Sequence, residues 1–124
     1  MAVAIAKPSH IAASRCDYTS ANRRYRIRKL TFSGNYATDG ETITAASVGL
    51  RKIEEGHLHG HVAAGSTPTT GVVLGIVPAA DGQSVAVRAY ELGGTGAAGD
   101  PLAEKNNAEA YIAGTNINAT FVGY

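Results

Sequence analysis

The stretch from Gly71 to Glu91, GVVLGIVPAADGQSVAVRAYE, holds two apolar runs on either side of an Asp81-Gly82 pair. Gly71 to Val77 is nearly continuous in apolar residues and stops at Pro78, the pattern of a central strand covered on both faces. Ser84 to Glu91 alternates, with Val85 and Val87 on one face and Arg88 and Tyr90 toward the other. Asp-Gly between two such runs supplies the left-handed backbone that a hairpin turn requires. The spacing therefore predicts a β-hairpin, and β structure on both sides of it.

Working toward the N-terminus, Leu50 to Val62 reads as a strand interrupted at Gly56 and Gly60, and Ala63 to Thr70 as a loop. The segment LTFSGNYATDGETITAASVGLRKI, Leu30 to Ile53, contains turns at Gly34-Asn35 and Thr38-Asp39-Gly40 and a short strand at Thr42–Thr44. Thr44 can cap a single helical turn that Gly49 ends. Tyr25 to Ser33 is a strand in which Tyr25 and Ile27 share one face and Leu30 and Phe32 the other. That slip predicts a bulge near Arg28-Lys29. Met1 to Asn22 shows no sustained period and reads as an extended arm that needs a partner to be ordered.

Toward the C-terminus, Gly93 to Gly99 is a loop by composition, and Asp100-Pro101 can start a short helix reaching Asn107. Ala108 to Ala113 and Asn116 to Tyr124 read as closing strands. Six to eight short strands at regular spacing predict an all-β fold: an antiparallel β-sandwich, jelly-roll-like, or a small barrel. The division expected is a basic arm over residues 1–24 and a β-sandwich body over residues 25–124.

Composition narrows the class. The chain has 124 residues, 15 Gly, two Phe and no Trp, so one thin core of Val, Ile, Leu and Ala is expected. Association with other copies or with a larger body commonly supplements such a core. The single Cys16 cannot form an intrachain disulfide, which suits a reducing cytosol. Met1 to Ala6 is too short for a signal sequence, and no run is long enough to span a membrane, so a soluble protein is expected.

The net charge of +1 conceals a segregated distribution. Residues 1–30 carry seven basic residues against one acidic, a net +6, and the remainder four against nine, a net −5. A basic segment on an acidic body points to an oriented negative partner, either nucleic acid or an acidic protein surface. Within the basic run, Arg23, Arg24, Tyr25, Arg26, Arg28 and Lys29 are the candidate partner-binding residues. Only Tyr25 offers a stacking face there, which favours a protein surface over nucleic acid.

Gly56-His57-Leu58-His59-Gly60-His61 is the sharpest local feature. On an extended strand His57, His59 and His61 would share a face, with neighbouring Cβ atoms about 6 to 7 Å apart, a spacing that can chelate zinc. Unliganded surface histidines are the more common outcome of such a pattern, so no metal or other cofactor is expected. Gly94 to Gly99 matches G-x-G-x-x-G, but Asp100-Pro101 follows and no βαβ unit surrounds it. Glu54-Glu55 and Asp39/Glu41 read as solvated pairs, nothing frames a catalytic nucleophile, and no enzymatic activity is expected.

The strand ending in Ser33-Gly34, followed by Tyr36, Thr38, Gly40, Thr42, Thr44-Ala45-Ala46, Gly49-Leu50 and Ile53, resembles small virion structural proteins of tailed bacteriophages. The likeness continues through Val87-Arg88-Ala89-Tyr90 and Gly99-Asp100-Pro101-Leu102-Ala103-Glu104 to the closing strand. It is to capsid decoration, or cement, proteins and related head and tail appendages. The resemblance implies a homotrimer-forming β-sandwich on the virion's capsid surface, assembled in the host cytoplasm, whose arm docks on the major capsid protein. A tail or head-fibre component and a small β-barrel nucleic-acid-binding protein are the alternatives. Residues before 23 and the histidine segment lie outside the likeness.

Overall fold

The structure, a computed structural model, describes residues 2–33, 37, 39–63, 73–92, 102–104 and 115–124. These residues form two antiparallel sheets packed face to face and not closed into a barrel. In chain order the strands are β1 (Ala2–Ala6), β2 (Asp17–Ser20), β3 (Arg23–Ser33), β4 (Glu41–Thr44), β5 (Ile53–Ala63), β6 (Val73–Pro78), β7 (Ser84–Leu92), β8 (Leu102–Glu104) and β9 (Thr115–Gly123). The first sheet runs β1-β3-β9-β5 with β2 also on β3, and the second β4-β7-β6 with β8 also on β7. The sandwich expected from strand spacing is thus what forms.

Alternation explains the packing. Leu30 and Phe32 of β3, Ile117, Ala119 and Phe121 of β9 and Ile53 of β5 face Ile43 of β4 and Val85, Val87 and Ala89 of β7. Ala45, Val48 and Leu50, on the link from β4 to β5, close one end. Among the described residues Phe32 and Phe121 are the largest fully buried side chains. Truncating either to Ala would cost roughly 3–5 kcal/mol, since a dense core refills such a void only in part.

The local signals near the hairpin hold. β6 and β7 pair from Val73↔Tyr90 to Pro78↔Val85 across a loop centred on Asp81-Gly82. Gly82 has φ +72°, its N–H donates to Ala79 O, and the Gln83 N–H donates to Asp81 Oδ1. Asp39 and Gly40 take φ +71° and +90° at the predicted turn before β4. After β4, Thr44 Oγ1 accepts the Ser47 N–H, a 3-10 turn spans Ala46–Val48, and Gly49 ends it at φ +79°.

Four expectations are corrected. Among the described residues β6 is an edge strand, and β7, covered by neighbours on both sides, is the central one. Leu74 to Val77 are only half-buried, so the continuous apolar run came without a central position. Leu102–Glu104, expected in a short helix, pairs with β7 as β8. β3 carries no bulge near Arg28-Lys29: its pairing with β9 is unbroken from Arg24↔Gly123 to Thr31↔Asn116. Arg24, Arg26 and Arg28 simply continue the parity of Leu30 and Phe32, so a core stripe turns cationic toward the end of the sandwich.

The fourth concerns the N-terminal segment. Residues 2–6 and 17–20, read as part of an extended arm, both pair with β3: Ala2↔Ser33 through Ala6↔Lys29, and Asp17↔Arg26 through Ser20↔Arg23. Val3 and Ile5 pack against the core. The arm's ordering partner is therefore a strand of its own chain. The turn expected at Gly34-Asn35, the loops expected over 64–70 and 93–99 and the strand expected over 108–113 lie outside the described residues.

Candidate functional site

The basic run of β3 is one arm of a two-residue hairpin with β2. Ala21 and Asn22 take φ +50° and +63°, the left-handed pair that a type I′ turn needs. Directly opposite each other, Tyr18 and Tyr25 stack with ring centroids 4.7 Å apart and planes within 2° of parallel. Such cross-strand aromatic pairs stiffen a ribbon.

The chain's own carboxylates occupy three of the four arginines. Arg28, 9% exposed, donates to Asp17 Oδ1 at 2.6 Å and to its neighbour's carbonyl, Ile27 O, at 2.9 Å. Arg26 lies 3.9 Å and Lys7 3.4 Å from the same Asp17 carboxylate. The hydrogen bond from Arg28, with the nearby charges of Arg28, Arg26 and Lys7, holds the Asp17 carboxyl below its ordinary range against the opposing effect of burial.

Arg23 reaches across the end of β9 to Glu54 and Glu55, at 3.3 and 3.4 Å. A register shift in β5 between Ile53 and Glu55 inserts the extra residue that brings both carboxylates within its reach. Glu55 is likewise held below the usual carboxylate range, first by its hydrogen bond with His57 and then by Arg23. Among the described residues Arg24 and Lys29 make no ion pair. Of the predicted partner-binding set, Arg23, Arg26 and Arg28 are thus tied within the fold, Tyr25 lies under Tyr18, and Arg24 and Lys29 keep their charge for something else.

The histidine segment lies on β5 without the regular spacing that a shared ligand face requires. His57 pairs in register with Thr120 and His61 with Ile117, because β5 gains a second irregularity between Leu58 and His61. His57 Nε2 sits 3.4 Å from Glu55 Oε2, and His59 Nε2 is hydrogen-bonded to Thr120 Oγ1 at 2.7 Å. Among the described residues no three His, Cys, Asp or Glu side chains gather as a metal site would require. Nor is any helix among them long and apolar enough to cross a membrane.

An open pocket of about 310 Å³ lies on the outer face of the first sheet, lined by His10, Ile11, Ile27, His59, Asn118 and Thr120. Sequence reading singled out only His59 of these for a site. The other lining residues come from the segment after β1 and from two strands far apart in the chain, which no local spacing could join.

Comparison with known protein families, with curated proteins and with solved structures finds no match for this chain.

Proposed function

We propose that the chain is a non-enzymatic virion structural protein of the capsid decoration, or cement, type, docking as a homotrimer on the major capsid protein lattice. The observation that carries the reading is residual charge. β3 keeps Arg24, in its pairing with β2, and Lys29, opposite β1 and on the other face, outside ion pairs among the described residues, and both belong to a segment of net +6 on a remainder of net −5. The sandwich supports the same reading, because a stiff two-sheet body can seat a charged ribbon at fixed orientation, and many weak copies on a lattice bind by avidity. In this proposal the N-terminal segment docks as folded strands on β3.

The test is co-sedimentation of the purified protein with empty capsids, comparing the parent chain with Arg24→Glu/Lys29→Glu. Binding that the double reversal abolishes sustains the proposal. Capsid binding that survives it, or steep salt-dependent retention on DNA with none on capsids, overturns it in favour of other sites or of nucleic acid.

A further inference from the structure

β1 and β2 occupy the same edge of β3 and run in the same direction, with Ala6 opposite Lys29 and Asp17 opposite Arg26. Over that interval β3 advances by two residues, Ile27 and Arg28, while the edge chain spends residues 7–16. One edge strand is therefore interrupted by a compact excursion. Its neck is closed by the Lys7–Asp17 ion pair at 3.4 Å and by the Ile27 N–H donating to Cys16 O at 2.8 Å. Inside, the Ile11 N–H donates to Pro8 O, and a 3-10 turn spans Ala13–Arg15. Pro8 and Cys16 are buried at its two ends. This is an Ω-loop, a surface loop with close ends and its own internal packing, a type that is frequently functional.

The excursion brings His10 and Ile11 to the pocket that, among the described residues, Ile27, His59, Asn118 and Thr120 also line. Lys29 stands directly opposite Asn118 in the β3–β9 register, on the same face. The chemistry of this lining is one-sided. It offers an amide, a hydroxyl and two imidazoles with the methyl-bearing side chains of Ile11 and Ile27, and Lys29 is the next strand position beside Asn118. Among the described residues no carboxylate lines it. The volume, about 310 Å³, is at the lower end of the range of small-molecule sites.

We infer that the Ω-loop and the outer face of the first sheet form a binding site for a small organic acid, its carboxylate held by Asn118, His59 and Lys29 and its apolar body against Ile11 and Ile27. The inference does not depend on the capsid reading. An acid with an apolar body suits a mostly apolar lining that carries a few donors and, among the described residues, no carboxylate, and the hydrogen bond between His59 and Thr120 orients the imidazole that would meet it.

Benzoate, benzamide and inorganic phosphate, titrated separately into the 15N-labelled full chain near neutral pH and followed by amide and imidazole shifts, test it. Benzoate is expected to give saturable shifts centred on residues 10, 11, 27, 59, 118 and 120, with a Kd on the order of 1 mM or tighter. Benzamide and phosphate should each bind at least about tenfold more weakly, one lacking the charge and the other the apolar body. His59→Ala and Asn118→Leu should each weaken benzoate about fivefold or more. His10→Ala, on the exposed loop, provides a variant that leaves the sheet intact. Shifts that do not saturate, shifts scattered over the basic surface, equal binding of benzamide or phosphate, or benzoate binding unchanged in all three variants would overturn the site.

Discussion

Arg28 Nη1 lies 2.6 Å from Asp17 Oδ1, joining β3, an interior strand of the first sheet, to β2, the edge strand that follows the Ω-loop. Arg28 is buried, while the Asp17 side chain is a third exposed. Removing the carboxylate leaves a buried guanidinium with its Ile27 carbonyl and little else. Asp17→Ala should therefore cost about 1–3 kcal/mol in urea unfolding, discounted from a fully buried pair for the exposure of Asp17. Adding Arg28→Met should recover part of the loss. An Asp17→Ala variant as stable as the parent would mean that water already satisfies Arg28.

The same pair sets an acid limit. The Asp17 carboxyl is held below its ordinary value of 3.8 in the folded chain, chiefly by the Arg28 hydrogen bond, so the unfolded chain takes up the proton first. Its stabilisation is fully present above the ordinary value and is lost as pH falls through the folded one. Stability measured from pH about 5 downward should decline less steeply for Asp17→Asn than for the parent. Parallel curves would assign the acid loss to other carboxylates, Glu55 first.

Ala21 sits at φ +50° in the β2–β3 turn, where a Cβ is strained and glycine is not. Ala21→Gly should raise stability by up to about 1 kcal/mol, the relief of left-handed strain less the added freedom of the unfolded chain. A loss of stability on thermal unfolding would show that the turn prefers its Cβ. This turn was invisible in sequence, since Ala-Asn is a poor sign of a type I′ hairpin.

What could be read from sequence was local. Asp81-Gly82 between apolar runs marked the β6–β7 hairpin, Thr44 and Gly49 marked a turn that forms, and the alternation of Val85 and Val87 placed both in the core. Alternation in Ala2 to Ala6 was also present, with Val3 and Ile5 spaced for one face, but five residues are too few to identify a strand without its partner. Pairings set by distant segments escaped the reading: β1 and β2 on β3, and the edge position of β6. The basic run was legible as charge, whereas its internal neutralisation by Asp17, Glu54 and Glu55 was not. The pocket was illegible for the same reason, because Ile27, His59 and Thr120 become neighbours only through the β3-β9-β5 order.

Among the described glycines, Gly123 leaves the least room for a side chain. A Cβ built there would collide with the Lys52 carbonyl, whose oxygen accepts the Tyr124 N–H at 3.2 Å while Tyr124 O accepts from Arg51 and Lys52. The obstacle is main chain and cannot rotate away. Gly123→Ala should destabilise by roughly 3 kcal/mol or more, far beyond the range of a surface substitution. Gly56→Ala should cost less, about 1–3 kcal/mol, because its Cβ would meet the side chain of Ile76, which can shift. If the two variants unfold at the same urea concentration, the main chain at Lys52 yields to a methyl group as readily as the Ile76 side chain does.

Truncating residues 1–24 would be the natural test of a free docking arm, and the β1–β3 and β2–β3 pairings change what it should do. The deletion strips Val3 and Ile5 from the core, removes Asp17 from Arg28 and leaves the β3 edge unpaired. A loss of roughly 2–4 kcal/mol is expected, with a tendency to associate through the bared strand. Failure of the truncated chain to bind capsids would then report damage to the body. Arg24→Glu/Lys29→Glu avoids this, since neither residue is in an ion pair among the described residues, and its unfolding midpoint should stay close to the parent's. A truncated chain of undiminished stability would show that the N-terminal strands are dispensable to the sandwich and would restore the free-arm picture.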